Sequence, residues 1–276
     1  MIKFVDTHAH LDGKEYDGDR DEVVARAKAA GVCRVLIPSI DLPSVATVLE
    51  TCRRYPGFAY PMIGLHPEEV RGDYEDVLAK MRVMMEEHLP MGETTEECHS
   101  VPTVPPRVVA IGEVGLDFYW SREYEREQLD AFERQVRWSV ETRLPLMIHC
   151  RKAQGEMTRV LRKYERDLPG GVFHCFTGNG CEAAELLRFK GFMLGIGGVL
   201  TFKKSKLPEV LPSCVPLSRI VLETDSPYMS PVPKRGCRNE SAFVCHVLRK
   251  LSECYGVSEQ EVADITNRNV RDVFGV

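Results

Sequence analysis

Phe4-Val5-Asp6-Thr7-His8-Ala9-His10-Leu11 starts as a short apolar strand and ends in two histidines spaced two apart. Side chains at that spacing leave the same face of a strand, so both imidazoles reach one point in space. Neutral imidazole pairs bind a metal ion readily. Taken alone, the two residues also read as surface histidines near a mobile chain end. The stretch decides the fold because its pattern returns. Glu113 follows Val108-Val109-Ala110-Ile111-Gly112, His149 follows Leu146-Met147-Ile148, His174 follows Gly171-Val172-Phe173, and Asp225 follows Ile220-Val221-Leu222-Glu223-Thr224. Each is a metal-ligating residue type placed where a β-rich run stops.

Eight such runs are predicted as strands: 3–7, 34–38, 59–63, 108–112, 145–148, 171–173, 192–195 and 219–223. Longer amphipathic stretches separate them, among them helices over 20–30, 74–88, 122–142 and 153–166. Strands alternating with helices make an α/β protein, and eight units of this size predict a (β/α)8 TIM barrel. A helix over 258–273, opened by the capping-box pattern Ser258-Glu259-Gln260-Glu261, is an added C-terminal segment. The competing architecture is a doubly wound open sheet, which calls for a glycine-rich nucleotide loop after an early strand. No such loop occurs. Gly195-Ile196-Gly197-Gly198 comes late and reads as a strand-end turn.

The 276 residues, 43% apolar and 28% charged, suit a soluble globular chain that folds as one barrel domain over 1–276. Residues 91–106 break the rhythm with Glu93, Glu96, Glu97 and three prolines, and read as a surface insertion. As an αβ connection it belongs on the face opposite the active site, which makes His88, Cys98 and His99 poor ligand candidates. No run approaches the roughly 18 apolar residues of a membrane span, and Ile2-Lys3-Phe4-Val5 lacks the basic-then-apolar pattern expected of a secretory signal. The expected location is therefore cytoplasmic, with no membrane association. The ten cysteines show no Cys-x-x-Cys pair and are expected to be reduced. Cys150 and Cys175 each follow a ligand histidine and are expected on the opposite strand face, as buried thiols. A formal net charge of −5 argues against a general nucleic-acid coat protein while leaving room for one local phosphate site.

Four imidazoles and two carboxylates exceed the needs of one tetrahedral ion. Two divalent ions bridged by Glu113 account for them better. His8, His10 and Asp225 complete one ion, because the first and last strands of a closed barrel are neighbours. His149 and His174 complete the other. Mixed nitrogen and oxygen donors suit Zn, Mn, Fe or Ni, with Mg possible.

The chain resembles a known family in order and along nearly its whole length. Asp6-Thr7-His8-Ala9-His10-Leu11, Gly64-Leu65-His66-Pro67, Gly112-Glu113-Val114-Gly115-Leu116-Asp117, His149-Cys150-Arg151, His174-Cys175-Phe176-Thr177-Gly178 and Glu223-Thr224-Asp225-Ser226-Pro227-Tyr228 look like the TatD family of metal-dependent deoxyribonucleases. The resemblance implies an amidohydrolase-type barrel, hydrolysis of DNA phosphodiesters, often as a 3′-5′ exonuclease, and the ligand roles given above. Two departures stand out: the 91–106 insertion, and Asn239-Glu240-Ser241 where the family often has Asn-Glu-Pro.

Cations also follow predicted strands: Arg151 and Lys152, then Lys203, Lys204 and Lys206, then Lys234, Arg235 and Arg238. They are expected to ring the mouth. Arg151 and Arg235 are the best phosphate contacts, since arginine grips phosphate bidentately. His66 is the third substrate-binding candidate. Phe176, Tyr119 and Trp120 fall in βα loops, where loop packing competes with base stacking. The leading expectation is a metal-dependent hydrolase acting on ester bonds, its substrate single-stranded DNA or frayed ends. Glu113 and Asp225 are the catalytic carboxylates acting with a two-metal-activated water, and no protein partner is expected. Hydrolysis of a small amide, lactone or phosphoester on the same barrel is the alternative. A non-catalytic metal- or nucleic-acid-binding protein is the second alternative.

Overall fold

The computed structural model of the protein describes residues 1–89 and 106–276. The expected insertion, with Cys98 and His99, lies outside the described residues except for Pro106. Among the described residues eight strands alternate with eight helices. In chain order they are β1 (Phe4–Asp6), α1 (Arg20–Ala30), β2 (Val32–Pro38), α2 (Leu42–Arg54), β3 (Ala59–Met62) and α3 (Tyr74–Glu86). There follow β4 (Ile111–Asp117), α4 (Glu125–Thr142), β5 (Leu146–Arg151), α5 (Gln154–Arg162), β6 (Gly171–Phe173) and α6 (Gly180–Leu186). The series ends with β7 (Phe192–Ile196), α7 (Leu207–Cys214), β8 (Ile220–Leu222) and α8 (Val244–Tyr255), then the added α9 (Glu259–Phe274).

All strand pairs are parallel, in two runs, β1-β2-β3 and β4-β5-β6-β7-β8. Backbone bonds close both seams. Between β3 and the approach to β4, Val109 N–H donates to Pro61 O at 3.0 Å and Ile63 N–H to Ala110 O at 3.2 Å. Between β8 and β1, Thr7 N–H donates to Leu222 O at 3.0 Å and His10 N–H to Ser226 O at 2.8 Å. The result is the closed TIM-type barrel expected from the sequence.

The fourth strand differs in extent. The apolar run predicts 108–112, but β4 runs from Ile111 to Asp117 and is buried throughout. Residues 109 and 110 pair backwards with the third strand, and the chain then passes to β5, with a register shift between Ile111 and Val114. Gly112, Glu113, Gly115 and Asp117 disguise this strand because they serve the site rather than the core. Glu113 therefore lies within its strand instead of after it, and His149 likewise lies within β5.

The core has two parts. The larger lies between strands and helices and includes Phe132, Val136, Leu161, Leu211 and Leu248. The smaller draws one residue from most strands, among them Val5, Leu36, Met62, Met147, Val172 and Val221, and adds Val270 and Phe274 of α9. Helix α9 also sends Asn267 Nδ2 to Lys3 O and Asn269 Nδ2 to the carbonyls of Leu217 and Ile220. These acceptors sit at the N-terminal ends of β1 and β8. The added helix thus covers the seam at the floor of the barrel, leaving the opposite end for chemistry. Its N-cap is half of the expected box: Ser258 Oγ accepts from Glu261 N–H at 3.1 Å. No described helix is long and apolar enough to cross a membrane.

Candidate metal centre

Even spacing on strands collects the site. Glu113 and Asp117 share one parity on β4 and His149 and Arg151 on β5, while His8, His10, Glu223 and Asp225 lie just beyond the ends of β1 and β8. Two glycines permit the close approach. Gly115 has φ of +147°, and a Cβ there would sit 1.8 Å from His149 O, so β4 and β5 meet only without a side chain. A Cβ on Gly195 would fall 2.1 Å from Glu223 Oε2 and displace that buried carboxylate.

The six expected ligands come together around Glu113. Its Oε2 lies 3.2 Å from His8 Nε2 and 3.8 Å from His10 Nε2. Its Oε1 lies 3.0 Å from His149 Nδ1 and 3.1 Å from His174 Nε2. Asp225 Oδ1 stands 3.8 Å from His8 Nε2 and 3.7 Å from His10 Nε2. Asp225 has φ of +54°, a left-handed conformation that aspartate tolerates better than most residues. Sets of donors close enough to share an ion are His8 with His10 and Glu113, His8 with His174 and Asp225, His66 with Glu113 and His149, and Glu68 with Asp117 and His149. His174 thus belongs to both sides, its ring stacked on His8 at 3.9 Å.

The donor set fits a divalent cation. His8 is fully buried, and neither ring nitrogen has a hydrogen-bond partner among the described residues. Burial, helped by neighbouring His174, lowers its pKa, so the ring is neutral at neutral pH. A buried ring with neither nitrogen partnered, facing two carboxylates, is an arrangement that a cation between them would satisfy. Burial works against ionisation of Glu113, but His66, His8 and His174 together with the His149 hydrogen bond hold its carboxyl well below the usual range. Burial likewise opposes charge on His149, yet Asp117 and Glu113 push its pKa up to about 9. The metal-free cluster therefore holds protons that a bound cation would release.

A second layer of carboxylates orients these groups, and the sequence reading assigned it no role. Asp117 Oδ2 lies 2.9 Å from His149 Nε2, while its Oδ1 accepts from Tyr119 N–H at 2.8 Å. Glu223 Oε1 lies 3.4 Å from His174 Nδ1 and accepts from Cys175 N–H at 2.5 Å. Asp6 accepts from Thr224 N–H at 2.9 Å and Thr224 Oγ1 at 2.7 Å, tying β1 to the chain that carries Asp225. Asn239, fully buried, donates to the carbonyls of Thr224 and Tyr228, anchoring the same loop ahead of Ser241. Even spacing from a ligand was the available signal for Asp6, Asp117 and Glu223.

His66 comes closer to the cluster than a residue reserved for substrate, with Nε2 3.3 Å from Glu113 Oε1. Its Nδ1 accepts from Glu68 N–H at 3.1 Å. That bond uses the Nδ1 lone pair and assigns the proton of a neutral ring to Nε2. His66 thus presents a donor toward Glu113 Oε1.

Above the cluster opens a cavity of about 1010 Å³. Its rim is not the expected basic ring. The loops after β1, β2 and β3 contribute Asp12, Glu15, Asp41, Glu68 and Glu69, with Lys14 among them. Of the expected cations only Arg151 belongs to the lining. Arg235 lies outside it, 4.0 Å over the Phe202 ring and bonded to Ser230 O. Arg238 is held by Asp19 at 2.7 Å, and Lys234 lies over Phe243. The chain after β8 thus sends these cations onto other protein groups rather than into the cavity. Cys150 and Cys175 are half-buried rather than buried, and both line the cavity. Burial pushes each thiol up to about 12. Cys175 follows the end of β6, so strand alternation does not place it. All nine described cysteines are free.

A closed parallel barrel with histidines and carboxylates gathered at the C-terminal ends of its strands defines the class, a metal-dependent hydrolase. The chain belongs to the TatD family: the family model described as TatD related DNase matches residues 5–275. It is 34% identical over 271 residues to the uncharacterized metal-dependent hydrolase YabD of Bacillus subtilis, covering 98% of both chains. It is 32% identical over 277 residues to the 3′-5′ ssDNA/RNA exonuclease TatD of Klebsiella pneumoniae, covering 98% of this chain and 97% of that one. The fold matches the crystal structure of the TatD homolog YJJV from Escherichia coli with TM-score 0.86 and 27% identity, over 99% of this chain and 98% of that one.

Proposed function

We propose that the chain is a phosphodiesterase that shortens single-stranded nucleic acid from the 3′ end, with two divalent ions in the cluster around Glu113. The observation that carries this reading is the division of labour at one carboxylate: Glu113 Oε2 faces His8 and His10, while Oε1 faces His149 and His174. In this reading His8, His10 and Asp225 would hold one ion and His149 and His174 the other, with Glu113 contributing to both. When bound, such ions supply Lewis acidity at the phosphorus-bound oxygens and an acidified water.

The chain's own groups do the rest. Asp225 is kept ionised, burial being outweighed by His10 at 3.7 Å and the nearby His174 and His8. It is the proton acceptor at the edge of the cluster and is partly open to the cavity. Asp117 and Glu223 lock the rings of His149 and His174. His66 offers its Nε2 proton to an oxygen of the substrate. Arg151 supplies the phosphate contact at the rim. Relatives named as 3′-5′ ssDNA/RNA exonucleases support the substrate class and polarity.

The acidic sector of the rim favours one alternative, a small ester or amide that never touches Asp12, Glu15 or Glu69. Metal-reconstituted protein assayed on 3′- and 5′-labelled single strands, the matching duplex, and a panel of small esters separates the two. Progressive shortening from the 3′ end of single strands is expected. Turnover of small esters with no cleavage of any strand would overturn the nuclease reading.

A further inference from the structure

The rim is divided. Three consecutive loops, those after β1, β2 and β3, carry its acids, while the next two carry an aromatic and a cation: Trp120 after β4 and Arg151 at the end of β5. A polyanionic strand is repelled from the first sector and admitted along the second. Trp120 is 69% exposed and Tyr119 49%, unusual for large aromatics on a barrel whose other rings are mostly buried. The two rings meet edge to face at 4.8 Å. The Arg151 guanidinium lies 3.7 Å over the Tyr119 centroid and 5.2 Å from that of Trp120. Among the described residues no ion pair engages it. Tyr119 itself is tied down by its N–H bond to Asp117, the carboxylate that orients His149. A held guanidinium without a carboxylate partner, beside a solvent-facing indole and above a phosphodiesterase centre, matches one ligand chemistry: a base next to its phosphate.

We propose that Trp120, Tyr119 and Arg151 form a nucleotide subsite, in which Trp120 stacks on an unpaired base and Arg151 takes the adjoining phosphate. The subsite rests on the phosphodiesterase reading and deepens it by selecting single strands. A base inside a duplex has no free face for the indole. The subsite is also sequence-tolerant, since every base has a π-face.

The chain has two tryptophans, and the second, Trp138, packs against the core under Arg82. Trp138→Phe protein therefore reports Trp120 alone. Metal-loaded protein is titrated with a short phosphorothioate oligothymidylate and with a phosphorothioate oligomer of the same length carrying abasic sugars. Saturable quenching by oligothymidylate is expected, with much weaker binding of the abasic oligomer. Followed by fluorescence anisotropy of a labelled oligomer, Trp120→Ala should weaken oligothymidylate binding roughly 5- to 150-fold. Trp120→Phe should restore most of it. Equal affinity for the two oligomers, or wild-type binding by Trp120→Ala, overturns the subsite even if the protein cleaves DNA. Quenching by oligothymidylate in a protein that cleaves no phosphodiester upholds the subsite and sinks the nuclease reading instead.

Discussion

Replacing Asp117 with Asn tests orientation apart from ligation by the central cluster, because Asp117 meets the donors around Glu113 through His149. The carboxylate holds His149 Nε2 at 2.9 Å and turns Nδ1 toward Glu113. It also makes the ring more basic, since an anion across one nitrogen strengthens the donor at the other. An amide keeps the shape and the bond from Tyr119 N–H but supplies a neutral partner. Losses of 10–100-fold in metal affinity are usual for such changes, or about 1.4–2.7 kcal/mol. Metal binding stabilises the folded state by RT ln(1 + [metal]/Kd), so at saturating metal the same energy is missing from the folded protein. At roughly 2–4 °C per kcal/mol for a chain of this size, Asp117→Asn should melt about 3–11 °C below wild type with metal and close to it in chelator. Thermal melts across a series of free metal concentrations measure both quantities. In His149→Ala protein the Asp117 substitution should add little, because the two residues act as one unit. Coincident metal midpoints for wild type and Asp117→Asn would refute the orienting role.

Four further outcomes follow from the structure. Glu113→Ala should lose the metal-dependent rise in melting temperature and all metal-dependent hydrolysis while keeping its far-UV circular dichroism; full activity would remove Glu113 from the bridging position. Gly115→Ala should destabilise by about 2–6 kcal/mol or prevent soluble folding, since a positive φ and a clash with His149 O act together, and urea melts would report it. Phe132→Ala, fully buried in the outer core, should cost about 3–5 kcal/mol in the same melts without changing metal affinity. Asp19 has its carboxyl held below the usual range chiefly by Arg238, with Arg26 adding to it against a small burial cost. A depressed folded pKa contributes stability above the unfolded value that is lost as pH falls through the folded one. The penalty of Asp19→Asn in urea midpoints should therefore be present near neutrality and fade in acid; a pH-independent penalty would contradict it.

Much of the site was legible because its residues sit at strand ends or at even spacing from them. His8, His10, His149, His174 and Asp225 could be picked out without knowing how the strands close, since a local apolar run marks where each loop begins. Glu113 was found for a partly mistaken reason: its strand continues to Asp117, and the glycines that allow β4 to meet β5 hide it from any hydrophobic pattern. Asp117, Glu223 and Asp6 carried a parity signal but no role, because a carboxylate that orients a ligand looks in sequence like any other.

The rim was the least legible part. Position after a strand places a residue on the reactive face but does not say where a long side chain ends. Arg151 and Arg235 both follow strands. The guanidinium of Arg151 lies along Tyr119 at the cavity, whereas that of Arg235 folds onto Phe202 and away from it. The acids after β1–β3 likewise emerged only once their loops were seen side by side.

By itself, then, the sequence determined the alternation of eight strands and helices, the end of the barrel that carries the site and the six candidate ligand residues, because each depends on local periodicity. Tertiary structure alone decided how the barrel closes, which donors lie close enough to share an ion, which His66 nitrogen faces Glu113 and how acids and cations divide the mouth. Those depend on distances between loops remote in the chain, set by how the barrel closes and packs.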